Sequence, residues 1–444
     1  MKLTKKIGLI ALTGLSIVAN VNAANEADLL SLLVQNNVIT AEQAAMVSSQ
    51  QAEVPQSLIG LLVQNGTISQ AQANTLAPAP VPTTHASSNP SVADVDPHVV
   101  PKQKTTQKIK LNGRIHFQGD YLSTDYDNAA SPDDEANLFL RRIYLGASAQ
   151  LVNNISATIN GQFSDGSNGT AKIEKAIIGW DVTDQYNLSF GFQKVPFAFE
   201  ETTSSSKINT VERSVATRYF TEQLNLGARF TGLFFSGNYA NGIYFTSALT
   251  NPTQGVVNGS SSTDKLALWA RAGWKGDLGS LPFNIGINGG RLQETREANV
   301  LDYVYGIYAN TTIAGVGLTA EILTGDFEKG SSNNAANPFG FNLEVTYKFN
   351  KKLELVGRYS TLNADNGIGA DISDTFRRAP ENGGAKFDEV DAYYLGLNYY
   401  FVGNSVKLTA GYEWASFEDN FDTSLSSQGD AEVSGFRTRL QLLY

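Results

Sequence analysis

From Lys108 to Tyr444 the chain repeats one pattern: segments of roughly ten residues in which apolar and polar side chains alternate, separated by turn residues. The stretch 338–349 shows it most clearly. Phe339, Phe341, Leu343, Val345, Tyr347 and Phe349 fall on one side, and Gly340, Asn342, Glu344, Thr346 and Lys348 on the other. Successive strand side chains point to opposite faces, so each such segment has one apolar and one polar face. One segment would suit a soluble sandwich equally well. A long series of them constrains the fold far more.

Sixteen candidate strands follow one another, starting near Lys108, Leu138, Ile155, Ala171, Tyr186, Leu224, Gly242 and Asp264. The second eight start near Pro282, Asn299, Gly315, Asn337, Lys352, Asp388, Asn404 and Ala431. Their connections alternate in length. Short turns fall at 152–154, 182–185, 277–281, 350–351 and 402–404, and longer loops at 123–136, 195–223, 252–263, 361–387 and 418–430. Short turns at one end and long loops at the other are the layout of a transmembrane β-barrel, apolar toward lipid and polar toward a watery lumen. The expected fold is therefore all-β: a sixteen-stranded antiparallel transmembrane barrel over residues 108–444. Although 42% of the residues are hydrophobic, no long apolar run occurs beyond the amino terminus, which excludes a helical membrane protein but not a barrel.

The amino-terminal quarter reads differently. Residues 1–23 have the form of a secretory signal: Lys2, Lys5 and Lys6, an apolar run from Ile7 to Val18, then Val21-Asn22-Ala23 as a cleavage site. Leu32-Leu33-Val34-Gln35-Asn36 recurs as Leu61-Leu62-Val63-Gln64-Asn65, and each copy precedes a capping-box spacing, Thr40 with Gln43 and Ser69 with Gln72. Residues 24–76 are accordingly expected to form a small duplicated helical module on the periplasmic side. Residues 77–107, with Pro78, Pro80, Pro82 and Pro90, read as an extended linker. Losing the three leader lysines lowers the formal net charge from −10 by three, to −13, and no Lys or Arg occurs from 24 to 101. Such a chain is a poor partner for nucleic acid. Export and a barrel together place it in the outer membrane of a Gram-negative cell, against lipid and lipopolysaccharide.

Alternation assigns the inward residues. In the first strand Leu111, Ile115, Phe117 and Tyr121 take the lipid face, which turns Lys110, Arg114, His116 and Gln118 into the lumen. In the second, Ile143, Leu145, Ala147 and Ala149 face lipid and Arg142, Tyr144, Ser148 and Gln150 face inward. Arg141 then has the wrong parity unless it ends the strand. In the last strand Phe436, Thr438, Leu440, Leu442 and Tyr444 oppose Arg437, Arg439 and Gln441. Asp120, Glu321, Glu344, Glu354 and Glu413 also face inward, and Asp125, Asp127, Asp133, Asp134 and Glu135 make one outer loop acidic. Trp180, Tyr219, Trp274, Tyr393, Tyr399, Phe401 and Trp414 are expected in interfacial girdles.

Four short blocks carry a resemblance: Phe139-Leu140-Arg141-Arg142-Ile143-Tyr144-Leu145-Gly146, Gly191-Phe192-Gln193-Lys194-Val195-Pro196-Phe197, Glu201-Thr202-Thr203-Ser204-Ser205 and Val211-Glu212-Arg213-Ser214. In this order they resemble the phosphate-selective porin O/P family. The resemblance implies a homotrimer whose pores pass anions with arginines and lysines, and it maps the family's basic positions onto Arg141, Arg142 and Lys194. It also implies that the loop 195–223 folds inward as the constriction, bringing Lys207, Arg213 and Arg218 against Glu200, Glu201, Glu212 and Glu222. The expected function is passive diffusion of small hydrophilic or anionic solutes. Arg114, Arg142, Lys194, Lys207 and Arg213 are expected to touch solute, with Arg141, Lys110 and His116 in second rank. A receptor or adhesin barrel of little conductance, or a specific channel for larger organic acids, are the alternatives. Enzymatic chemistry is not expected: of three histidines only His116 lies on a strand, and no nucleophile, zinc or phosphate-loop motif accompanies them. No cofactor is implied.

Overall fold

A computed structural model describes residues 108–151, 154–165, 170–257, 266–293, 301–327, 335–365, 368–381, 385–420 and 429–444. The leader, the 24–76 module, the 77–107 linker, His85, His98 and the strand starts expected at Asp264 and Asn299 lie outside the described residues.

Sixteen strands form. The first four are β1 (Lys108–Tyr126), β2 (Asp133–Gln150), β3 (Ile155–Asp165) and β4 (Thr170–Asp181). Next come β5 (Tyr186–Lys194), β6 (Arg229–Asn238), β7 (Ile243–Thr250) and β8 (Ala267–Leu278). Then follow β9 (Leu281–Gln293), β10 (Leu301–Ile313), β11 (Val316–Asp326) and β12 (Phe339–Lys348). The last are β13 (Leu353–Asn363), β14 (Phe387–Val402), β15 (Val406–Asn420) and β16 (Ala431–Leu443). Each pairs antiparallel with its neighbours, and β1 pairs with β16, from Arg114 opposite Leu443 to Tyr126 opposite Ala431. Closure removes every open edge, which is what a backbone surrounded by hydrocarbon requires.

The alternation sorts the two faces as expected. Ile159, Ile178, Ile287, Leu395 and Leu440 stand exposed on the outer surface. Two expectations need correction. The β1–β2 hairpin is shorter than the 123–136 loop read from sequence, because β1 pairs through Thr124 with Asp133. Tyr219 lies inside the molecule, fully buried, rather than in a girdle; Trp180, Tyr393, Tyr399 and Phe401 are exposed on the outside.

The lumen is not uniform along its height. Near the short turns its wall is polar. Toward the long loops it becomes apolar, with Leu122, Val304, Leu323, Leu362, Val390 and Phe417 turned inward and buried. Phe197, Phe220, Ile372 and Phe376 from the loops belong to the same apolar core. The outer half of the barrel is thus packed like the interior of a soluble protein, which fixes where loops can sit.

Candidate functional site: the inward loop and its wall

The connection between β5 and β6, residues 195–228, enters the barrel. It carries two single-turn helices, α1 (Phe199–Thr202) and α2 (Val215–Arg218), then one π-helical turn (Tyr219–Gln223). Apolar packing seats its base: Phe197 meets Phe220 and Trp269, and Trp269 meets Phe230. Gly340 on β12 lets α2 approach, since a Cβ there would stand 2.8 Å from that of Ala216. The backbone N–H groups of Phe199 and Glu200 both donate to the Glu321 carboxylate, the latter at 3.0 Å.

From Ser206 to Glu212 the loop runs along the wall as a ribbon whose carbonyls are caught one after another. Gln441 donates to Ser206 O (3.2 Å), Lys407 to Ile208 O (2.9 Å) and Asn398 to Asn209 O (2.9 Å). Arg439 donates to Thr210 O (3.0 Å) and Val211 O (2.7 Å), and Arg358 to Glu212 O (2.8 Å). An extended segment cannot satisfy its own carbonyls, so the long donors of β13 to β16 do it instead. Of these, Arg439 is visible as an inward residue of the last strand, and Arg358 and Lys407 follow by the same alternation. None of the three stands out as a site residue in the sequence, because parity tells direction but not partner.

Carboxylates complete the docking. Glu212 accepts from Arg141 Nε at 2.8 Å and from Gln118 at 3.2 Å. Burial alone would raise its pKa, but the guanidinium groups of Arg141 and Arg142 outweigh this and hold it well below the ordinary carboxylate range. Glu201 accepts from Arg213 (3.0 Å) and Lys194 (2.5 Å). Burial pushes its pKa up; Arg213 and Lys194 more than offset that and leave it at about 2.

A second connection, 364–386, also turns inward. It contains α3 (Ile372–Thr375) and meets the first loop directly. Arg218 donates to Asp374 O (2.7 Å) and Thr375 O (3.2 Å), Gln223 to Gly369 O (2.6 Å), and Arg377 pairs with Glu222. The wall joins in through Arg437, which binds Asp120, Glu413 and Arg377 O.

The sequence-derived residues separate into groups. Arg141, expected on the wrong face, is the extra residue of a β-bulge: His116 pairs with Arg142 and Phe117 with Leu140. The bulge turns both arginines inward, and both are buried. Lys194, the last residue of β5, is tied to Glu201, and also to its carbonyl at 2.5 Å. Arg213 is spent within the loop, on Glu201 and on the carbonyls of Glu200, Glu201 and Thr203. Arg114 reaches the loop hydroxyls of Ser204 (3.0 Å) and Ser205 and lies over Tyr144. Lys207 and Lys110 are exposed. His116 is fully buried, with both ring nitrogens unpartnered among the described residues, and so is Nη1 of Arg142.

A ring that is greasy outside and charged inside is intelligible only with lipid around it and water within. The fold is that of an outer-membrane porin, and the protein resides in the outer membrane. Residues 109–280, spanning β1 to the turn after β8, match the family model for phosphate-selective porins O and P, and all four blocks of the resemblance lie within them. Solved barrels share the architecture. OprB of Pseudomonas putida is 12% identical with a TM-score of 0.53, covering 76% of this chain and 94% of its own. An anion-selective porin from Comamonas acidovorans is 11% identical with a TM-score of 0.52, covering 76% and 100%. The outer-membrane channel DcaP of Acinetobacter baumannii is 13% identical with a TM-score of 0.50, covering 76% and 97%. At such identities these likenesses speak for the fold alone. No curated protein matches the chain.

Proposed function

We propose that this outer-membrane channel passes small hydrophilic solutes by diffusion and prefers anions. One observation carries the preference: cations of the lumen wall that meet no carboxylate. Arg114 is held by hydroxyls, and Arg439 and Lys407 by carbonyls, none of them ion-paired among the described residues. Carbonyls and hydroxyls orient a guanidinium without cancelling its charge. In a narrow tube with low-dielectric walls, uncancelled charge selects solutes of the opposite sign. Arg114 and Lys207 are the proposed solute contacts, while Arg142 is buried beside Glu212, and Arg141, Lys194 and Arg213 serve the loop. The anionic class extends from chloride to phosphate and small organic acids, and three copies side by side form the proposed assembly.

The test is a reversal potential in planar bilayers, in a KCl gradient and then with phosphate competing. The expected sign is anionic. A cation-selective channel would overturn the preference, and correctly folded protein without conductance would overturn diffusion itself.

A further inference from the structure

Resting on the diffusion reading above, we infer that solute travels along the wall formed by β2 to β5, and that Lys175 on β4 sets the channel's selectivity there. The route follows from what the inward loop covers. Its tethers reach β1, β8, β9 and β11 to β16, and on the β2–β5 side, among the described residues, only Arg141 and Lys194. On the other side Tyr144, Thr158, Asn160 and Gln193 face inward and stay half-exposed. These are mostly short or neutral side chains, so space is left in front of them. Arg114 marks the border, with one end over Tyr144 and the other on the loop serines.

Lys175 faces inward by plain alternation with Ala176, Ile178 and Trp180, directly after a second β-bulge. Asn160 pairs with Lys175 while Gly161 pairs with Ile173, so Glu174 is the extra residue. Simple alternation that keeps Ala176, Ile178 and Trp180 on the lipid side would send Lys172 there too. The bulge resets the parity before Glu174, so that Ile173 faces outward and Lys172 joins Lys175 on the inner face. Glu174 is engaged by Arg229. Lys175 forms no hydrogen bond or ion pair among the described residues and stays half-exposed beside Asn160. It is thus a mobile ammonium on the uncovered wall, in contrast to the arginines locked under the loop. A charge with no protein partner is the one that a passing solute feels most.

The chain has no cysteine, so single-cysteine labelling reads accessibility without background. Full-length Lys175→Cys, reconstituted in planar bilayers, is exposed to the trimethylammonium-ethyl methanethiosulfonate reagent. The expected result is stepwise conductance loss, whereas Thr409→Cys, fully buried under the loop, stays unmodified. Lys175→Glu should lower the anion-over-cation permeability ratio by about fivefold, as a two-unit charge change at a few ångströms in a wet pore implies. Labelling that leaves conductance unchanged, or a Lys175→Glu ratio equal to that of the wild type, would overturn the inference. If the wild-type channel prefers cations, the anion preference falls while the shift on Lys175→Glu still supports the route.

Discussion

The two halves of the lumen wall obey the same alternation yet do opposite things. From β12 to β16 the inward positions carry long donors and acceptors such as Glu344, Arg358, Asn398, Lys407 and Arg439, and each is bonded to the inward loop. From β2 to β5, apart from Arg141 and Lys194, they carry Ser148, Ser156, Thr158, Asn160 and Ser189, which are too short to reach it. Reach, rather than polarity, separates a wall that holds a loop from a wall that leaves room for water. The same lesson applies to charge: a cation on the covered wall is fixed by the loop and acts only through its field, and one on the open wall is free to meet solute.

The comparison breaks most visibly at Glu212. Glu212→Leu would leave Arg141 and Gln118 buried without their acceptor, and loss of one partner of a buried ion pair costs about 3–5 kcal/mol. The loop should detach, so protease should cut within 195–223 in detergent-solubilised protein and single-channel current should rise. An intact loop with unaltered current would mean that the carbonyl tethers alone suffice. A somewhat smaller effect comes from acid. The folded pKa of Glu201 lies below its ordinary 4.5, so its contribution is complete above pH 4.5 and declines as the pH falls toward about 2. The shift corresponds to about 3 kcal/mol at full extent. Current noise and protease sensitivity should rise over that window, and Glu201→Gln should show the loosened behaviour already at neutral pH.

Much of this organisation was legible in the residues. Strand number, order and the inward parity of most strands follow from period-two alternation, and most strands begin within two residues of their expected starts. Two exceptions are instructive. The expected start at Leu224 falls in the π-helical region and its strand begins at Arg229, because the loop's return is anchored by Phe220 and Leu226 in the apolar core. Arg141 is misplaced by alternation because a bulge shifts parity by one, and nothing in Arg141-Arg142 announces the extra residue; Lys175 keeps its parity, but alternation does not say which inward lysine lacks a partner. The partners of the wall cations were equally hidden. A carbonyl-binding arginine and a solute-binding arginine look identical in sequence, since the distinction depends on where a loop 200 residues away in the chain comes to rest, as with Lys407 and Ile208.

The subtlest test lies within the loop itself, at α2, which is buried against β12 and β13. Ser214 caps α2: its Oγ accepts from Thr217 N at 3.2 Å and donates to Glu200 at 2.6 Å, while its own N–H also donates to that carboxylate. Ser214→Ala removes the cap and one of the bonds to Glu200 but keeps the backbone contact, so the cost should be about 1 kcal/mol. That is too little to detach a ribbon held by Arg358, Lys407 and Arg439, and mean conductance should not move. It is enough to multiply brief local excursions of α2 about fivefold, since 1 kcal/mol changes an equilibrium by that factor at room temperature. Open-channel noise is the measurement that sees such excursions. Increased noise at constant conductance would show that α2 borders the water-filled path, whereas a drop in conductance would place it inside the path and move the boundary between the two walls.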